Sequence, residues 1–125
     1  MSRISDSLRS QVTDRARGQC EYCQSQQIIV EDMEIDHIRP QAAGGITSLD
    51  NLCLACIRCN RFKRDYLAGL DPETGHESPL YNPRSQRWAD HFKWGDVRTV
   101  LMGLTATGRA TIGRLRINDP KRLIA

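Results

Sequence analysis

Between Glu34 and Lys63 the chain collects side chains that could hydrolyse a phosphate ester. Asp36 and His37 are adjacent at the end of a predicted strand, and Asn51 follows a loop of small residues containing Gly44 and Gly45. Cys56 and Cys59 then open a polar, basic segment with Asn60, Arg61 and Lys63. Cleaving a phosphodiester needs a water made nucleophilic, cancellation of charge building on the phosphoryl oxygens, and stabilisation of the departing sugar oxygen. Neutral imidazole accepts a proton near physiological pH, and His37 is the one histidine in this stretch, so it is the expected general base. The bland alternative is an Asp-His pair whose carboxylate caps the loop and whose ring packs in place.

At 125 residues the chain is expected to be one domain with one site. Its hydrophobic share of 39% and aromatic share of 6% make for a modest core that a metal staple would help. Two Cys-x-x-Cys pairs, Cys20/Cys23 and Cys56/Cys59, offer four thiolates at a spacing that can close a tetrahedral zinc shell. Two redox disulfides, or incidental buried thiols, are the alternative uses. Cys53, in an apolar run, reads as a small core residue, with substitution for one of the four ligands as its other reading. Net charge is only +3, but basic residues gather at Arg58, Arg61, Lys63 and Arg64 and again at Arg109, Arg114, Arg116, Lys121 and Arg122, which favours anionic partners. No apolar run approaches bilayer length, and a soluble, cytoplasmic protein with no membrane partner is expected.

The elements that must position these groups follow from pattern. Ser5 can cap a helix whose Ile4, Leu8, Val12 and Ala16 share a face and which Gly18 ends. Residues 26–30 and 33–38 read as a hairpin, 49–54 as a returning strand, and 57–68 as a helix with Phe62 and Tyr66 on one face. Residues 71–83 read as an irregular wrap with an exposed His76. Trp88, Phe92 and Trp94 are expected on one side of a strand, with His91 pointing away, and residues 97–104 pair with it after a turn. A helix from about Thr107, with Ala110, Ile112 and Leu115 facing in, should cover the tryptophans.

The run from Ile35 to Pro40, the Gly44-Gly45 pair, Asp50-Asn51-Leu52 and Cys56-x-x-Cys59-Asn60-x-x-Lys63 together resemble the His-Asn-His (HNH) endonuclease motif, in its zinc-stapled subset with two flanking Cys-x-x-Cys pairs. The resemblance covers about residues 20–63. It implies an α+β fold with a ββα-metal core over about 18–68 and a four-cysteine zinc site, preceded by a helix and followed by an extension over about 79–125. It also implies an endonuclease that hydrolyses phosphodiester bonds in DNA. Asn51 would hold the loop and so orient His37. Asp36 would bind the catalytic ion, and Asn60 stands where the family name asks for histidine, as in the His-Asn-Asn variant. Two oxygen donors favour magnesium or manganese over softer ions. Arg39, Arg61 and Lys63 could clamp phosphates, Lys63 matching a recurrent family lysine. The rival readings are a non-catalytic zinc module that binds nucleic acid or protein, and a thiol-disulfide redox protein.

Overall fold

The structure is a computed structural model that describes residues 4–26, 33–95 and 100–120. It is a small α+β fold of short strand pairs and helices. Helix α1 spans Asp6–Arg15, and the Ser5 hydroxyl accepts from the Leu8 amide at 3.1 Å as its cap. Val12 is fully buried, and Leu8 and Ala16 pack beside it against Leu52 and Leu54. The spacing of four therefore translates into one packed stripe, fully buried at Val12.

Strand β1 (Met33–His37) pairs antiparallel with β2 (Leu52–Cys56), in a register that sets His37 opposite Leu52 and Met33 opposite Cys56. Of the expected hairpin with residues 26–30, residues 27–32 lie outside the described residues, and Gln26 bridges Gln19. The pairing of β1 across a long loop has a simple reason. Every residue of β2 is buried, so this apolar strand needs a partner, and the entropy of closing a loop grows only with the logarithm of its length. Residues 49–51, expected within this strand, form a 3₁₀ turn ahead of it.

Helix α2 is Ile57–Lys63, shorter than expected, because the chain turns sharply at Arg64 (φ 50°, ψ −134°). Residues 68–70, expected in part within that helix, instead form β3 (Ala68–Leu70), which pairs with β4 (Glu77–Pro79). The segment 71–83 is thus not merely an irregular wrap. Asp71 is fully buried within it and receives a two-pronged grip from Arg109, Nε to Oδ1 at 2.9 Å and a terminal nitrogen to Oδ2 at 3.0 Å. Those hydrogen bonds from Arg109 hold the Asp71 carboxyl far below the usual carboxylate range.

Trp88, expected on a strand, begins the short helix α3 (Trp88–His91), which leads into β5 (Phe92–Trp94), paired with β6 (Leu101–Gly103). The turn residues 96–99 lie outside the described residues. Helix α4 (Ala106–Arg114) packs against β6 and β3. The Thr105 hydroxyl caps it by accepting from the Gly108 amide at 3.0 Å. The cover expected over the tryptophans is incomplete. Trp88 instead donates its indole N–H to the carbonyl of Tyr22 at 2.9 Å, Tyr22 and Tyr81 meet edge to face at 6.5 Å, and Trp94 stays 40% exposed. His91 lies within 5.8 Å of the Tyr81 ring centroid and hydrogen-bonds Thr105 through Nδ1.

Gly108 lets α4 lie close to α3. A Cβ there would sit 2.1 Å from the carbonyl oxygen of His91. Alanine ordinarily gains about 1 kcal/mol over glycine inside a helix. Here overpacking of about 1–3 kcal/mol should reverse that sign. Gly108→Ala is therefore expected to lower stability in a denaturant melt, and a gain would show that α4 can move away freely.

Candidate active site

The two cysteine knuckles meet. The sulfurs of Cys20, Cys23, Cys56 and Cys59 all lie within 4.8 Å of one another, with Cys23 and Cys56 at 3.8 Å. Four sulfurs at a Zn–S distance of about 2.3 Å on a tetrahedron stand about 3.8 Å apart, so the cluster has the size of a zinc shell. In each knuckle the second cysteine's amide points at the first one's sulfur, Cys23 to Cys20 at 3.5 Å and Cys59 to Cys56 at 3.4 Å, which helps a thiolate carry charge. Hydrogen bonds from Cys20 and the other two thiols pull Cys56 down, while burial pushes Cys20 up. A divalent cation resolves that conflict by letting all four ionise. None of the five cysteines is in a disulfide.

The cluster is tied to the strands. Glu21, between Cys20 and Cys23, exchanges hydrogen bonds with Leu54 of β2 through its amide and its carboxylate, both at 2.8 Å, and its carboxylate also pairs with Arg84. Tyr22, fully buried, donates its hydroxyl to Asp36 Oδ2 at 2.8 Å. Cys53 is a core residue whose sulfur lies 3.5 Å from the Tyr22 hydroxyl oxygen, and it stands apart from the four-sulfur cluster. Burial, with the charge of Asp36 beside it, pushes its thiol far up.

Asn51 holds the loop after β1 from both ends. Its Oδ1 accepts from the Arg39 amide at 2.8 Å, and its Nδ2 donates to the carbonyls of Arg39 at 2.9 Å and Ile46 at 2.8 Å. Gly45 makes that closure possible, since a Cβ there would fall 1.7 Å from the Arg39 carbonyl oxygen. The same loop presents Thr47, whose hydroxyl meets His37 Nε2 at 2.8 Å and fixes the ring.

Asp36, His37 and Asn60 line one cleft of about 460 Å³, together with Arg64 and Asp65. Asn60 donates through Nδ2 to Glu34 Oε1 at 3.0 Å, which leaves its oxygen for the cleft. Lys63 differs from its expected place at a phosphate. It is 1% exposed, and its ammonium pairs with Asp36 Oδ2 at 3.1 Å while donating to the carbonyls of His37 and Ile38, both at 3.2 Å. Burial pushes the Asp36 carboxyl up, and Lys63 and Tyr22 pull it back. Oδ2 takes most of these contacts, so Oδ1, with Lys63 at 3.4 Å, keeps a lone pair for a cation. Arg39 and Arg61 are exposed.

Three contributors were missed from sequence: Tyr22, Thr47 and Glu34. Strand alternation could have found Glu34, two residues before Asp36 and so on its face. Nothing local marks Tyr22 or Thr47, whose partners come from elsewhere in the chain.

Residues 20–65 match the family model described as HNH endonuclease. The chain is also similar to the Septu protein PtuB of Bacillus mycoides (strain KBAB4), 28% identical over 120 residues, covering 76% of this chain and 41% of the relative. The chain thus spans about two fifths of the length of the curated relative it matches. No solved structure matches it. Among the described residues no helix is long and apolar enough to cross a membrane.

Cys56 is both a cluster member and the N-cap of α2, so Cys56→Ser should lose bound zinc and cooperative folding together, because binding energy at such a site is largely folding energy. Elemental analysis and thermal melting check this. Cleanly folded wild-type protein without zinc would be incompatible with it.

Proposed function

We propose that the HNH endonuclease domain formed by residues 20–65 makes this chain a metal-dependent enzyme that hydrolyses phosphodiester bonds in DNA. The observation that carries the reading is the single cleft shared by Asp36, His37 and Asn60. In the tautomer whose Nε2 proton faces the Thr47 hydroxyl at 2.8 Å, His37 keeps Nδ1 unprotonated to take a proton from water. The water oxygen bonds to phosphorus, the bond to the sugar oxygen breaks, and the proton lost by water resides on the imidazole. Asp36 through Oδ1 and Asn60 through its side-chain oxygen would hold a magnesium or manganese ion, both being hard oxygen donors. When bound, that ion neutralises charge on the phosphoryl and departing oxygens. Exposed Arg39 and Arg61 contact flanking phosphates, and Lys63 holds Asp36 in place from within. One observation favours a second reading, a non-catalytic zinc module that binds nucleic acid: the charge of Asp36 is already balanced by Lys63.

Supercoiled plasmid separates the two. We expect nicking or linearisation with added magnesium or manganese and none when the divalent ion is omitted, with zinc retained in both cases. Intact plasmid under every divalent ion would favour the non-catalytic module. His37→Ala should fold, keep zinc and bind DNA, yet lose turnover by about 10²-fold or more. Wild-type cleavage by that variant would overturn its role as base.

With Asp36 and Asn60 as the proposed protein ligands, the second ion must keep several waters and lean on the substrate phosphate, so activity should titrate with added magnesium. Asn60→Ala should raise the magnesium requirement or abolish cleavage, and Asn60→His should shift preference toward softer ions. Normal cutting by Asn60→Ala at limiting magnesium would remove Asn60 from the ligand set.

A further inference from the structure

Two arginines from the end of α4 reach back to the segment that carries the cleft. The Arg116 guanidinium lies 4.9 Å from the ring centroid of Phe62 on α2, and that of Arg114 lies 4.2 Å from the ring of Tyr66, just beyond α2. A third, Arg64, lines the cleft of Asp36, His37 and Asn60. Among the described residues the ion pairs engage Lys63, Arg84 and Arg109, and none of these three arginines makes one. The Nε of Arg114 is buried without a hydrogen-bond partner. A guanidinium held over a ring face is restrained there while its solvent-facing N–H groups stay available to a phosphate.

The backbone supplies an independent sign. Arg116 (φ 51°) occupies the turn after α4, where Ile117 returns its amide to the carbonyl of Ile112 at 3.1 Å, a helix ending that normally takes glycine. Arg64 likewise has φ 50°. At both positions the chain keeps a long cation where the conformation favours a residue without a side chain. The surface is also grooved. Tyr66 is shared between a cleft of about 660 Å³ that includes Arg39 and one of about 490 Å³ that includes Arg114 and Arg116. Against these cations stand the exposed acids Asp65, in the active cleft, and Glu77, in both grooves.

We infer that Arg64, Arg114 and Arg116 form a track for the phosphate backbone of duplex DNA flanking the scissile bond, so that the C-terminal extension supplies two of its three cations. This rests on the reading of DNA as substrate. The ring contacts restrain the two guanidinium groups before the duplex arrives, which lowers the ordering cost of each contact.

The test is binding of a fluorescent duplex by the full chain without added divalent ion, measured across sodium chloride concentrations. Each phosphate neutralised on duplex DNA contributes about 0.9 to the slope of log affinity against log salt. The double variant R114Q/R116Q should therefore flatten the slope by about 1.8, and R114K/R116K, which keeps the charges, should restore most of it. Zinc content and melting temperature are read in parallel. A double variant that melts lower but keeps the wild-type slope would overturn the track and leave the stacks as packing alone. Wild-type protein that binds no duplex would overturn the DNA reading and the track with it.

Discussion

Four cysteine sulfurs confined within 4.8 Å of each other decide where separate parts of the chain meet. Cys20 and Cys23 follow α1, while Cys56 ends β2 and caps α2, so one cluster fixes the first knuckle against the strand pair and the helix. The two residues between Cys20 and Cys23 exploit that placement. Glu21 stitches the knuckle to β2, and Tyr22 reaches under the strands to Asp36. A chain with this modest apolar content gains order from a geometrically specific contact of this kind, which depends little on the volume of the core.

From the cluster the constraint passes inward to a buried charge pair. Lys63, at the end of α2, satisfies Asp36 and two carbonyls at the end of β1 at once. Removing one partner of a pair this deeply buried typically costs about 3–5 kcal/mol, because the other charge is left without compensation. The pair therefore locks the helix to the strand end at the point where His37 leaves it. Asn51 completes the arrangement from the other side by closing the loop that brings Thr47 to the imidazole. Cysteine cluster, ion pair and loop clamp each restrain a different side of one cleft.

The C-terminal extension leans on the same frame. Trp88 donates to the carbonyl of Tyr22, and Tyr81 joins that ring to Phe92, so the aromatic core of the extension begins at the first knuckle. Farther along, Arg109 grips Asp71 and ties α4 to the segment between β3 and β4. With α4 anchored in this way, its end stands close to α2, where Arg114 and Arg116 meet the rings of Tyr66 and Phe62.

What the sequence determined by itself was the chemistry whose signal is local. Cysteine spacing declares a four-sulfur cluster, the Asp36-His37 adjacency puts an imidazole beside a carboxylate, and the family resemblance implies that Asn51 holds the loop. Helix α1 was legible for the same reason, since its cap and its spacing of four lie within a few residues of each other. Tertiary structure alone decided the partner of β1, the early end of α2 and the strand at residues 68–70. It also turned Lys63 inward and Trp88 into a helix. In each of these cases the outcome depends on what packs against a residue from far along the chain: an apolar strand that needs a partner, a buried carboxylate that needs a cation, an indole N–H that needs a carbonyl. Local pattern cannot specify such partners, because burying a polar group is favourable only when a distant acceptor or donor is already in place.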